Sequence, residues 1–175
     1  MNWFYLKLSL QAIWFILPAY FANAVPAAIS KFREIQRYNQ PIDSGTKLDG
    51  KPILGRGKTW IGIFAGVLTG TFVGYIQSFF PGTPYMTVQL ACLLSIGALV
   101  GDMVKSLIKR RIGIRSGKPW PFFDQIDFLI GAFAFSLFVT EMNWYYFGIL
   151  LIITPIAHYL ANYLGWKLGL KKVPW

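Results

Sequence analysis

Residues 60–80 read WIGIFAGVLTGTFVGYIQSFF, an apolar run without one Asp, Glu, Lys or Arg. A helix needs about 20 such residues to cross a hydrocarbon core of about 30 Å, and this run has that length. Gly62, Gly66, Gly70 and Gly74 recur at every fourth position, which lines one helix face with small groups and suits close packing in lipid. Four more apolar blocks accompany it, at about 8–29, 87–104, 126–140 and 144–164. The first is interrupted by Gln11, Pro18, Asn23 and Pro26. The blocks at 87–104 and 126–140 are short and are expected to gain length from flanking polar residues. The alternative for 126–140 is a core helix that does not fully span.

Composition agrees with the blocks. Across 175 residues, 55% are apolar, 18% aromatic and only 14% charged, where a soluble domain carries about 25% charged residues. At 19.9 kDa with a mean hydropathy of +0.47, the chain is too small to hide so much apolar surface from water. Disorder, coiled coil and collagen-like repeats are excluded. The expected fold class is all-α: a polytopic membrane protein with five transmembrane helices, forming a single membrane-embedded domain over 1–175. The lone Cys92 rules out an internal disulfide or a Cys-based zinc site, and the lone His158 rules out any site needing two imidazoles.

Seventeen Lys and Arg against seven Asp and Glu give a net charge of +10. In a soluble chain this would suggest nucleic acid; here the distribution points to membrane topology, and nucleic acid is not an expected partner. Every Lys and Arg except Lys7 falls in segments 31–59, 105–123 and 165–175, all on one side of a five-span path. The opposite loops, 81–86 and 140–144, hold none. The positive-inside rule therefore puts the N-terminus outside and the C-terminus, including Lys167, Lys171 and Lys172, in the cytoplasm. The expected location is the cell membrane, multi-pass, with the functional face toward the cytoplasm. A signal peptide is the rival for the first block, but its polar and proline interruptions favour a retained helix.

The polar residues at the cytoplasmic rim carry the chemistry. Asp102, Lys105, Ser106 and Lys109 follow helical spacing and share one face. A basic turn follows, with Arg110, Arg111, Gly113, Arg115, Gly117 and Lys118, and then Asp124 and Asp127 one helical turn apart. Mg²⁺ prefers oxygen donors and binds one or two carboxylates together with substrate phosphates. Asp102, Asp124 and Asp127 are its candidate ligands. Lys105, Lys109, Arg110, Arg111 and Arg115 are candidates for polyphosphate oxygens, with backbone N–H groups near Gly113 adding an anion cradle. Taken singly, each has an ordinary reading: topology signal for the loop, helix cap for Asp124, lysine partner for Asp102.

A second cluster, GRGKTW at 55–60, resembles a Walker A loop only superficially; the required glycine spacing and preceding strand are missing. Lys58 and Thr59 are expected to close over phosphate or base from the opposite wall. Asn23 is expected near a nucleotide, or as a cap on a kinked helix. His158, four residues before Asn162, reads as hydrogen-bonded structure.

The run GDMVKSLIKRRIGIRSG at 101–117, followed by DQID at 124–127, resembles the C-terminal signature of membrane CTP:phosphatidate cytidylyltransferases. With Asn23, PIDSG at 41–45 and GRGKTW at 55–60, the short chain looks more like their archaeal branch, the CDP-archaeol synthases. It departs from the bacterial pattern in PWPFFD at 119–124, which replaces a glycine- and histidine-containing run. The resemblance implies transfer of a cytidylyl group from CTP to an isoprenoid ether lipid phosphate, 2,3-bis-O-(geranylgeranyl)glycerol 1-phosphate, with release of pyrophosphate. It also implies a metal centre at Asp102, Asp124 and Asp127, with Lys105 and Lys109 as catalytic cations. Self-association into an oligomer stays open. The alternatives are a CDP-diacylglycerol synthase acting on phosphatidate, or a small transporter subunit. A CDP-alcohol phosphotransferase is disfavoured, because its Asp-Gly-x-x-Ala-Arg run is absent.

Overall fold

A computed structural model of the chain describes residues 3–80 and 85–167. Lys171 and Lys172, and most of the 81–86 loop, lie outside the described residues. Six helices follow in order: α1 (Trp3–Ile29), the short α2 (Arg33–Gln36), α3 (Trp60–Ser78), α4 (Val88–Arg111), α5 (Phe123–Ser136) and α6 (Trp144–Lys167). Between α2 and α3 lies a small antiparallel hairpin, β1 (Lys47–Leu48) with β2 (Lys51–Pro52), paired Lys47 to Pro52 and Leu48 to Lys51. The architecture is helical, apart from this hairpin and an isolated bridge between Pro41 and Thr59.

Threonines start two of the long helices. The Thr59 hydroxyl accepts from the Gly62 N–H at 3.3 Å, and the Thr87 hydroxyl from the Leu90 N–H at 3.1 Å. Each satisfies one of the first-turn donors that a helix leaves unpaired. Gly62, Gly66, Gly70 and Gly74 form the buried face of α3. A Cβ on Gly66 would sit 2.7 Å from the Ala22 carbonyl of α1, and one on Gly74 would overlap the Ala91 side chain of α4. The stripe therefore brings α1, α3 and α4 together, as the spacing implied.

The α4–α5 contact uses the same device. Cβ atoms on Gly97 or Gly131 would run into the opposite backbone, and one on Gly101 into the carbonyl of Asp127. The pairings Gly97 with Gly131 and Gly101 with Asp127 make the two helices antiparallel. Phe15, Ile16, Leu94, Phe128, Leu129, Phe133 and Leu150 fill the core that joins α1, α4, α5 and α6. The opposite faces of α3 and α6 leave Phe64, Leu68, Phe72, Ile152 and Ile156 exposed, as helices in hydrocarbon require.

Among the described residues, four helices are long and apolar enough to cross a membrane: α1, α3, α4 and the Trp144–Leu164 part of α6. The fifth expected span differs. α5 has 14 residues, about 21 Å at 1.5 Å per residue, and ends at Ser136 rather than near Thr140. At its other end it begins at Phe123, so both aspartates fall within the helix. α4 also runs beyond the expected 104, to Arg111, which keeps Asp102, Lys105 and Lys109 on one rigid face.

Candidate active site

The close α4–α5 crossing decides the site. It sets Asp102 of α4 beside Asp124 and Asp127 of α5, and all three converge on one atom. Lys105 Nζ lies 3.1 Å from Asp102 Oδ1, 3.1 Å from Asp124 Oδ1 and 2.8 Å from Asp127 Oδ2. Lys58, at the end of the loop entering α3, forms an ion pair with the other oxygen of Asp102. Lys109, one turn after Lys105, holds Asp124 at 2.9 and 3.0 Å. Three carboxylates and three ammoniums thus form one network at the basic end of the bundle.

Asp124 is also fixed by backbone, accepting the Trp120 N–H at 2.6 Å. Asp127 is different: it is buried at 8% exposure, and neither carboxylate oxygen receives a well-formed hydrogen bond among the described residues. A cavity of about 460 Å³ opens beside the network, lined by Lys58, Lys105, Lys109, Arg110, Lys118 and Asp124, among others. Next to it, sharing Arg110 and Ser116, a cavity of about 590 Å³ is walled by Lys47, Lys51, Arg56 and Arg115. Such a surface attracts phosphate-rich anions.

A family model described as CarS-like, CDP-archaeol synthase, matches residues 5–175. The chain belongs to the CDP-archaeol synthase family. It is similar to the CDP-archaeol synthase of Thermococcus gammatolerans, at 47% identity over 94% of this chain and 95% of that protein. The one from Methanocaldococcus jannaschii is 40% identical over 97% and 98% of the two chains. Among solved structures, one described as "Structural insight into an intramembrane enzyme for archaeal membrane lipids biosynthesis" superposes with a TM-score of 0.77 at 35% identity, covering 88% of this chain and 94% of the other. As a member of the CDP-archaeol synthase family, the chain is an enzyme of the cytidylyltransferase class, and its apolar helices make it a multi-pass membrane protein.

Within this CDP-archaeol synthase fold, the residues expected at the site divide into three groups. Asp102, Lys105, Lys109, Asp124, Asp127 and Lys58 meet in the network. Arg110, Gly113 and Arg115 line the adjoining cavities; Arg110 Nη1 donates to the Ile114 carbonyl at 2.6 Å, and Gly113 turns the chain at φ +86°. Arg111 and Asn23 stand elsewhere, and Thr59 borders the network through a small cavity shared with Lys58 and Asp102. The Arg111 guanidinium donates to the carbonyls of Leu48, Lys51 and Pro52 at 2.8, 3.2 and 2.7 Å, and so clamps the β1–β2 hairpin. The Thr59 hydroxyl caps α3. Asn23 is half-buried on α1 one turn before Pro26, and it is Pro26 that shares a small cavity with Lys58, Thr59 and Asp102.

One organising residue was not anticipated. Asp43 accepts from Leu54 and Gly55 N–H at 2.9 and 3.0 Å and from Gly45 N–H at 3.1 Å, folding the loop that delivers Lys58. Slight burial raises its carboxyl, and these amides more than reverse that, leaving it lowered. The Asp-Ser-Gly turn was the only local signal. Asn162 and His158 hydrogen-bond at 3.1 Å, as expected of structural groups.

The donors suit a hard divalent ion: carboxylate oxygens, two of them on Asp127 buried without a hydrogen bond. Among the described residues, however, no three such side chains stand ready around an ion-sized point. The ammonium of Lys105 occupies the middle of the cluster.

Proposed function

We propose that the chain transfers a cytidylyl group from CTP to 2,3-bis-O-(geranylgeranyl)glycerol 1-phosphate, giving CDP-archaeol and pyrophosphate. The observation that carries this is the convergence of Asp102, Asp124 and Asp127 with Lys58, Lys105 and Lys109 beside two basic cavities. An oxygen of the lipid phosphate attacks the α-phosphorus, and the bond to the pyrophosphate oxygen breaks. The attacking oxygen is already anionic, so no strong general base is needed. The barrier lies in bringing two anions together and in the charge that develops on the leaving group. Mg²⁺ held by Asp102, Asp124 and Asp127 would supply much of that neutralisation. Lys58, Lys109 and Arg110 face the cavity and oppose the remaining charge. Lys47, Lys51, Arg56 and Arg115 draw the triphosphate toward it.

The reading places this face in the cytoplasm, where CTP is available, with five membrane passes and the N-terminus outside. The antiparallel course of α5 against α4 supports a fifth pass despite its length, since the register of Gly97 on Gly131 and Gly101 on Asp127 carries the chain after α5 toward the start of α4. The charge asymmetry supports the orientation. Isoprenoid chains then remain among the helices while the phosphate reaches the rim.

The test is incubation of purified protein with labelled CTP and Mg²⁺, supplying the isoprenoid ether phosphate or phosphatidate in parallel. A labelled CDP-lipid from the ether phosphate is expected, lost in EDTA and recovered with excess Mg²⁺. Product from phosphatidate alone would reassign the acceptor, and synthesis that persists in EDTA would remove the metal from the mechanism.

A further inference from the structure

We propose that Lys105 is the resident counter-ion of the aspartate cluster and yields its place to a divalent cation when the enzyme loads, its ammonium then moving into the adjoining cavity. The inference rests on the cytidylyl-transfer reading above and concerns how that site is held before it is loaded.

Four observations lead to it. The Lys105 ammonium is the one group common to all three carboxylates, at 2.8–3.1 Å. Asp102 and Asp124 each have a second cation, Lys58 and Lys109, whereas Asp127 has only Lys105 among the ion pairs of the described residues. Asp127 is nine-tenths buried, and beyond its ion pair with Lys105 neither oxygen has a well-formed hydrogen bond among the described residues, so it is a carboxylate with capacity left over in the cluster. Lys105 also lines the cavity of about 460 Å³, so its stem has open space on its other side.

Charge and side-chain chemistry give the direction of exchange. With Lys58, Lys105 and Lys109 in place, the three aspartates are balanced. A divalent ion entering without displacement would leave an excess of two positive charges in a half-buried site. Moving Lys105 out halves that excess and carries its charge toward incoming phosphate. Lysine suits this role because its ammonium is a compact point charge on a flexible four-carbon stem, making no fixed planar fork. The empty cluster is thereby kept from self-repulsion, and the loaded one gains a cation on the substrate side.

The experiment measures binding of Mn²⁺ alone, without nucleotide, to the full-length protein in detergent micelles, following free Mn²⁺ by electron paramagnetic resonance. Lys105→Met removes the competitor and is expected to tighten Mn²⁺ at least about tenfold, while Asp127→Asn weakens it. Unchanged or weaker binding by Lys105→Met, alongside weakened binding by Asp127→Asn, would overturn the exchange and leave the metal reading standing. Mn²⁺ binding indifferent to Asp127 in both backgrounds would overturn both. Thermal unfolding adds an independent readout: Lys105→Met should lose stability in EDTA and regain more of it with Mn²⁺ than wild type does. A Lys105→Met protein that stays unfolded even when prepared in Mn²⁺ counts against the proposal.

Discussion

Lys109 Nζ lies 2.9 Å from Asp124 Oδ1 and 3.0 Å from Oδ2, and the same ammonium donates to the Lys118 carbonyl at 2.7 Å. One buried cation therefore joins the last turn of α4, the end of the basic loop and the first turn of α5. Asp124 completes the ring by accepting the Trp120 N–H. The loop that brings Arg115 and Lys118 to the cavity is held at both ends by this pair.

Lys109→Met and Asp124→Asn should each lower CTP-dependent product formation by at least about 100-fold. Because the two groups share one network, their effects on stability should not add; a coupling of about 1–3 kcal/mol is expected from a double-mutant cycle. Additive unfolding energies in detergent would mean the pair is not acting as a unit.

Gly131 sits against the Gly97 carbonyl, so Gly131→Ala forces α4 and α5 apart. Overpacking of this kind costs about 1–3 kcal/mol, and turnover should fall as Asp127 moves from Asp102. Gly148→Ala is the control, since a Cβ there meets nothing within 4 Å. Thermal unfolding and activity measured on both variants should separate them clearly.

Arg111 spends its guanidinium on hairpin carbonyls rather than on the aspartates. Arg111→Met should release the hairpin, raise the KM for CTP about tenfold, change kcat less, and speed proteolysis within 45–55. Arg111→Lys should fail to restore KM, because a single ammonium cannot span three carbonyls. A drop in kcat with KM unchanged would instead place Arg111 at the reacting phosphate.

Asp43, in the loop before α3, is held below the ordinary carboxylate value when folded, against about 3.9 in the unfolded chain. Stability from such groups is complete above the unfolded value and is lost as pH falls through the folded one. The unfolding midpoint should therefore drop from pH 5 toward pH 3, and Asp43→Asn should flatten part of that drop. An identical acid profile in wild type and variant would show that Asp43 does not contribute.

The site was legible where local spacing was enough. Asp102, Lys105 and Lys109 at helical intervals, and Asp124 with Asp127 a turn apart, name the chemical groups and the face they share. The backbone partners of Arg111 and Thr59 were not legible for one physical reason: a basic or hydroxyl side chain beside glycines looks the same in sequence whether it meets a phosphate or the protein's own backbone. Arg111 is engaged by backbone some 60 residues earlier in the chain, and Thr59 by the first turn of its own helix. The end of α5 was placed four residues late because hydropathy continues through Phe138 and Val139, where the regular helix has given way to turns.

By itself, the sequence determined that this chain is a helical membrane protein with its cations gathered at one end, since apolar run length and charge placement are properties of consecutive residues. It also determined, through the spacing of Gly62, Gly66, Gly70 and Gly74, which face of α3 packs closely. Tertiary structure alone decided that three aspartates from two helices meet at one lysine, and that Asp127 is left with that lysine as its single charged partner. Those outcomes depend on how near α4 and α5 approach and on their relative register, which backbone contact at Gly97, Gly101 and Gly131 sets and no local pattern encodes.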